Sequence, residues 1–346
     1  MKTLCLVGLV ALSISPLATT TVRCVDTPYR LLKEIPVGGE GGWDYLSVDE
    51  GARRLYVSHG AKVVVIDIEQ NAVVGEITDT PGVHGLAVAP ELKRGFTSNG
   101  RENKASIVDL VTLKTLSKVD TGANPDAMLY EPGQKEVYMF NGRGQSATVF
   151  EAVSGQVVAT IPFGGKPEFA VADTKAGRVY CNIEDKNELV AIDTKTHTVV
   201  NRWPIAPGEE ASGLAIDLAQ HRLFLGCGGS NLMVMMDSTS GKVVASVPIG
   251  KGVDATAFDP GTQLAFSSNG EGNVTIAREE TPDKLVVVQT LTTERSTRTM
   301  TLDPKTHRIY LASAKFETQA EPAPGAQRQR PKMIPDSMKI LVYGME

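Results

Sequence analysis

This sequence is short of the residues and motifs that mark several protein classes. Its 346 residues include only 4 cysteines, 5 histidines and 2 tryptophans. Cys5, Cys24, Cys181 and Cys227 are too few and too scattered for a disulfide scaffold, and none has metal-ligand spacing. Cys181 and Cys227 fall in apolar strand patterns that suit buried free thiols. The formal net charge of −5 leaves no basic excess, so the surface as a whole does not attract a polyanion. Missing too are a Gly-x-Ser-x-Gly nucleophile, a Cys-x-x-Cys-His haem attachment and a phosphate-cradling glycine-rich loop. The Gly142-Arg143-Gly144 turn is too short for the last of these.

A bilayer-spanning apolar run is absent as well. Leu4 to Leu12, preceded by Lys2, is too short to span and reads as the core of a removable export signal. Residues 1–20 are therefore expected to leave, with a cut before Thr21, and 21–346 to act in the periplasm or outside the cell with no transmembrane segment. Arg23, immediately before Cys24, is unfavourable for lipid attachment to that cysteine.

Against these absences stands a repeat. Arg54-Leu-Tyr-Val-Ser-His-Gly60, Arg94-Gly-Phe-Thr-Ser-Asn-Gly100 and Glu136-Val-Tyr-Met-Phe-Asn-Gly142 recur later around Tyr180, Phe224, Phe266 and Tyr310. Successive aromatics at 56, 96, 138, 180, 224, 266 and 310 are 40, 42, 42, 44, 42 and 44 residues apart. A period of that length signals a β-propeller. Each copy carries four short strand signals; in the second they are Gly85 to Val88, Gly95 to Ser98, Ala105 to Val108 and Thr115 to Val119. Third strands end in Asp67, Asp193 or Asp237 before a Thr- or Ser-bearing turn, which suits carboxylates that cap backbone N–H groups.

The last copy supplies only three strands, ending with Lys339 to Val342, and the missing outer one is found near the start. Arg30 to Gly38 matches Val157 to Gly164 and Val243 to Gly250 in pattern. The expected fold is all-β: one seven-bladed propeller of four-stranded blades, the last closed by the N-terminal strand, with no open edge at the join. A monomer is expected. Residues 316–338, rich in Pro, Gln, Ala and Arg, form an insertion in the last blade rather than a domain.

The Gly-x-x-Pro-acidic lead-ins, the Arg-x-Tyr-Val-Ser/Asn second strands and the Val-x-Val-Ile-Asp-Thr-x-Thr pattern resemble the YVTN-type propeller repeat. Over its mature length the chain resembles the exported YncE-like proteins. That resemblance implies the fold; relatives of the repeat include surface-layer proteins, DNA-binding YncE proteins, lactonase-like enzymes and propeller domains of redox enzymes, so it does not select one activity.

In a propeller the first strand of each blade lines the channel, and side chains at its start converge on one mouth. The aligned residues are Asp44, His84, Asp126, Glu168, Ser212, Asp254 and Arg298, with His59, Asn99, Asn141 and Asn269 at the neighbouring ends of second strands and Arg101 and Arg143 just beyond. Together these residues make an acid-rich mouth able to hold a cation or a small polar ligand; for Asp126, Glu168 and Asp254, which lie in similar turns, the alternative is capping of backbone N–H groups, whereas Asp44, His84 and Arg298 break the repeat and are the better ligand contacts. His59, His84 and Asp44, or the two histidines with Asp126, offer mixed N/O ligation to a divalent metal; an all-oxygen calcium site is the alternative. His197, His221 and His307 are assigned to the opposite face.

Three functions follow. The first is a non-enzymatic module that receives a small polar ligand or a protein partner at the mouth. The second is a metal-dependent lactonase-like hydrolase, with Arg298 holding an anionic substrate group. The third is single-stranded DNA binding, implied by the YncE resemblance and by Arg101, Arg143, Arg328, Arg330 and Lys332, against which the acidic mouth repels phosphate.

Overall fold

The computed structural model describes residues 28–317 and 332–345. The expected signal at 1–20 and residues 318–331 of the insertion lie outside the described residues, as do Cys5, Cys24, Arg328 and Arg330.

Seven four-stranded antiparallel sheets are arranged as blades, each running from an inner to an outer strand in chain order except the last. The inner strands are Leu46–Asp49, Val83–Ala89, Pro125–Glu131, Pro167–Asp173, Ala211–Asp217, Val253–Asp259 and Met300–Asp303. Every repeated aromatic lies in a second strand and is buried. Middle strands such as Lys62–Asp67 are apolar on both faces because a neighbouring blade covers each side, whereas the outer strand Ala72–Ile77 is largely exposed.

This arrangement divides the core into seven clusters, one at each blade junction. Alternation explains how one strand serves two of them: Leu55 and Val57 face the last blade, while Tyr56 faces the second. Each fully buried Phe, Leu or Val contributes roughly 1.5–3 kcal/mol, so the ring is held together mainly between sheets.

Closure follows the sequence expectation. Arg30–Pro36 pairs antiparallel with Lys339–Gly344, placing Ile35 opposite Ile340 and Pro36 opposite Lys339. Tyr29 secures the strand, donating from its hydroxyl to the His307 carbonyl at 2.7 Å and meeting the Phe266 ring edge-on at 5.2 Å. The third-strand aspartates cap turns as read: Asp67 accepts the N–H groups of Glu69 and Gln70 at 2.9 and 2.7 Å, and Asp193 those of Lys195 and Thr196 at 3.0 Å each. Cys181 and Cys227 are buried free thiols. Among the described residues no helix is long and apolar enough to cross a membrane.

Candidate functional site

The start of five of the seven inner strands carries a device that turns its side chain toward the channel. Pairing with the second strand slips by one residue between Val83 and Leu86, Pro125 and Met128, Pro167 and Ala170, Ala211 and Gly213, and Val253 and Ala255. His84, Asp126, Glu168, Ser212 and Asp254 each fall inside such a slip, and a bulge there re-aims the side chain.

At one side of the mouth, His84 Nδ1 lies 2.7 Å from Asp44 Oδ2 and 3.3 Å from Asp126 Oδ1. One ligand atom from each of these three side chains lies within 4.8 Å of the others, a spacing that admits a metal ion. Nearby, Arg298 Nη1 pairs with Asp254 Oδ2 at 2.5 Å, and Lys166 Nζ bridges Glu168 and Glu184 at 2.5 and 2.6 Å. Beneath this polar collar is a cavity of about 120 Å³ lined by Tyr45, Leu86, Met128 and Phe169 among others. Tyr45 and Phe169 face each other with ring centroids 5.5 Å apart. A polar rim above an apolar floor is the usual form of a small-ligand site.

The collar has more negative charge than its cations offset. Burial, then the charge of Asp44, pushes Asp126 up to about 6 against the pull of His84. Burial and the Asp126 charge raise Glu168 to about 8 despite Lys166. Burial also takes Asp254 to about 7 against Arg298, with Asp44 and Asp126 adding to the rise. For His84, burial disfavours the imidazolium, but the Asp44 hydrogen bond and the two aspartate charges prevail and raise its pKa.

Several sequence expectations change here. Asp126, Glu168 and Asp254 do not act as turn caps: their contacts are His84, Lys166 and Arg298. The entry turns are capped from other loops instead: Asp185, in the same blade, accepts from Lys166 N, and Asn103 and Asn187, each in the preceding blade, accept from Asn124 N and Glu210 N, all at 2.7–2.8 Å. The strand bulge turns the acidic side chain away from the backbone it would have capped.

His59 does not join His84. It is buried, and its Nε2 lies 3.0 Å from the Gly38 carbonyl, which fixes the Nε2–H tautomer as donor. Burial lowers its pKa. Gly39, at φ +81°, packs so closely that an added Cβ would lie 2.8 Å from His59 Nε2. His59 thus braces the Gly38–Gly41 turn, and Asp126 takes its place beside His84 and Asp44. Asn99, Asn141 and Asn269 also point into their own blades, where they bond Ser106 at 2.8 Å, Ser146 at 3.1 Å and Asn273 at 2.7 Å. Each stands at the end of a second strand, and the sequence position does not reveal that the side chain turns inward.

Lys166 and Tyr45 are mouth residues that the sequence reading did not select. Lys166 lies two positions before Glu168, a spacing that places both on one side of an extended chain. His197 and His307 lie at the far face, bonded to Glu136 at 2.8 Å and Asp259 at 2.7 Å. A larger cavity of about 240 Å³ also opens there, between blades three and four. Its acids are already engaged: Glu131 accepts from Gly133 N, Gln134 N and Thr174 Oγ1, and Asp193 from its own turn and Arg178. The mouth, with acids short of donors, is the better ligand site.

No family model matches the chain, and no curated protein matches it. Among solved structures, a chain of the crystal structure of a mitotic checkpoint complex superposes with a TM-score of 0.73 at 12% identity, covering 88% of this chain and 96% of that one. A chain of Kuenenia stuttgartiensis hydrazine synthase gives a TM-score of 0.51 at 15% identity, covering 69% and 96%. Likeness at these identities establishes the propeller fold alone.

Proposed function

We propose that this chain is an exported binding module of the YncE-like kind whose channel mouth holds a divalent cation and, through it, a small polar ligand. The carrying observation is the convergence of His84 Nδ1, Asp44 and Asp126 within 4.8 Å at a rim whose acids are short of positive partners. One imidazole nitrogen and two carboxylates form a mixed N/O donor set suited to zinc or another transition metal. A proton on His84 occupies the same charge niche, so metal uptake should release protons and strengthen as pH rises. Arg298, paired with Asp254 and half exposed, offers an anionic ligand group a cationic contact.

Isothermal titration of the metal-free protein with zinc tests this reading. One equivalent should bind, and His84→Ala or Asp126→Asn should weaken affinity by about 10-fold or more, since each removes a ligand. Absence of uptake, or uptake indifferent to both changes, would sink the proposal. Export is supported by the leader-like residues 1–20, and N-terminal sequencing of protein recovered outside the cytoplasm tests it. A propeller within a checkpoint complex supports a protein-binding role for this architecture in general.

A second reading, a metal-dependent lactonase-like hydrolase, draws on Glu168 and Asp254, which hold protons near neutrality beside the candidate metal site. Zinc-loaded protein that fails to open any member of a lactone panel removes it. Single-stranded DNA binding finds no support in a mouth of this charge.

A further inference from the structure

Far from the mouth, Glu279 interrupts a repeat position that is neutral in the first five blades. The position is marked by a backbone N–H that donates to the turn before the second strand. Ile68, Leu110, Ala152, Thr194 and Ser238 make the equivalent bond to Arg53, Lys93, Lys135, Gly177 and His221, and Glu279 makes it to Gln263. All are buried, and Glu279 itself is only 5% exposed. Its side chain continues the stripe begun by Ala277, within the apolar cluster that joins blades five and six.

Across that junction stands Asp217, 1% exposed, at the far end of its inner strand. Its Oδ1 caps the Ala219 N–H at 2.8 Å, but among the described residues Oδ2 finds no donor, and neither oxygen of Glu279 does. Other junctions supply a donor at this place. Asp303 receives the Arg53 guanidinium, Asp259 receives His307 at 2.7 Å, and Glu131 receives Thr174 at 2.8 Å, each donor coming from the next blade. Between blades five and six the next blade presents a second acid.

Among the described residues, no side-chain cation is seen to fill this gap. Arg222 is close enough for its charge to be felt, but its nitrogens bond the carbonyls of Pro282, Gln220 and His221 and the carboxylates of Asp237 and Asp283. The chain neighbours of Glu279, Arg278 and Glu280, alternate to the other face of the strand, and Glu280 pairs with Lys284 at 2.6 Å. Two bare carboxylates in an apolar junction would repel each other strongly.

We propose that Asp217 and Glu279 share one proton across the junction of blades five and six, and that its loss as the medium turns alkaline loosens this junction, making it a built-in pH switch. The carboxylic O–H of Glu279 donates to Asp217 Oδ2; on ionisation that proton passes to solvent and leaves the two anions facing each other. Burial first, then the Asp217 charge, pushes Glu279 up to about 7 against the pull of Arg222. A raised carboxyl pKa means that the folded state holds a proton the unfolded state has released. The stabilisation is complete below the ordinary Glu value and declines as pH rises to about 7.

Thermal melts of the full chain and of Glu279→Gln, from about pH 5 to about pH 9, test the switch. The wild type should lose about 5 °C more than the variant over that range, because the amide cannot ionise. Hydrogen exchange in the strands Ala211–Asp217 and Asn273–Thr281, corrected for the intrinsic rate, should rise above neutrality in the wild type only. If Glu279→Gln does not fold, Asp217→Asn keeps the turn acceptor and should flatten the same profile. Superimposable melting profiles would overturn the proposal. So would calcium raising the melting temperature of the wild type but not of Glu279→Gln, which would assign the pair to a cation instead of a proton.

Discussion

At the far face, Asp303 accepts both terminal nitrogens of Arg53 at 3.1 and 2.7 Å, together with Thr306 Oγ1 at 2.6 Å. At the mouth, Asp126 meets His84 at 3.3 Å, with the charge of Asp44 against it and those of Lys166 and Arg298 acting on it more weakly. Burial acts against ionisation at both sites. At Asp303 the Arg53 bonds overcome it and hold the carboxyl below its ordinary value, whereas at Asp126 they have no counterpart and the value rises to about 6. The same side chain is therefore structural where its lone pairs are filled and receptive where they are not. Repetition alone does not separate the two cases, since acids recur at both ends of the inner strands.

The sharpest way to break this comparison is to delete one acid from each face. Asp303→Ala strands a largely buried guanidinium and removes a turn cap, so it should cost about 3 kcal/mol in denaturant unfolding. A loss below about 1 kcal/mol would mean that the far-face network is not structural in the sense argued here. Asp126→Asn should instead leave the fold intact and raise its stability by about 1 kcal/mol at pH 8, because it removes a charge the folded state disfavours.

The pH profile sharpens the contrast next. Asp126, Asp254 and Glu168 have folded values of about 6, 7 and 8, all above those of ordinary carboxyls, so the stability they supply is lost as pH rises from the ordinary carboxyl range to those values. Asp303 and Asp237 are depressed, and the stability they supply is lost as pH falls through their lowered values. Denaturation midpoints should therefore peak near about pH 4 and fall from there toward pH 8, and zinc at pH 8 should recover part of the alkaline loss. A profile still rising from pH 6 to 8 without metal would contradict the charge imbalance at the mouth. The smallest effect belongs to exposed pairs at neither site: Lys62→Ala, which removes the 2.5 Å contact with Glu76, should change unfolding free energy by less than about 0.5 kcal/mol.

The blades were legible in the sequence because an alternating pattern repeated seven times leaves few registers, and Tyr56, Phe96 and their counterparts mark the same buried position in each copy. The start of the last strand pair was legible for the same reason, from the match of Arg30 to Gly38 with two internal outer strands. The mouth was only partly so. Residue numbers locate Asp44, His84, Asp126 and Arg298 at one end of the channel, but the rotation of a side chain at a bulge is a three-dimensional property. That is why His59 and the three asparagines were expected at a rim they do not reach, and why Asp126 was assigned to a turn that Asn103 helps cap. Glu279 gave no signal, since an acid in an alternating strand looks solvent-facing until the neighbouring blade is in place.

Pairing Arg30–Pro36 with Lys339–Gly344 also fixes an order of events during synthesis. The first strand to emerge from the ribosome has to wait for the final one, and six blades can assemble while it remains an unsatisfied edge. A chaperone or a neighbouring nascent chain that captures Leu31 to Ile35 in that interval would compete with the protein's own tail, so the yield of finished rings should depend on how quickly the last blade arrives.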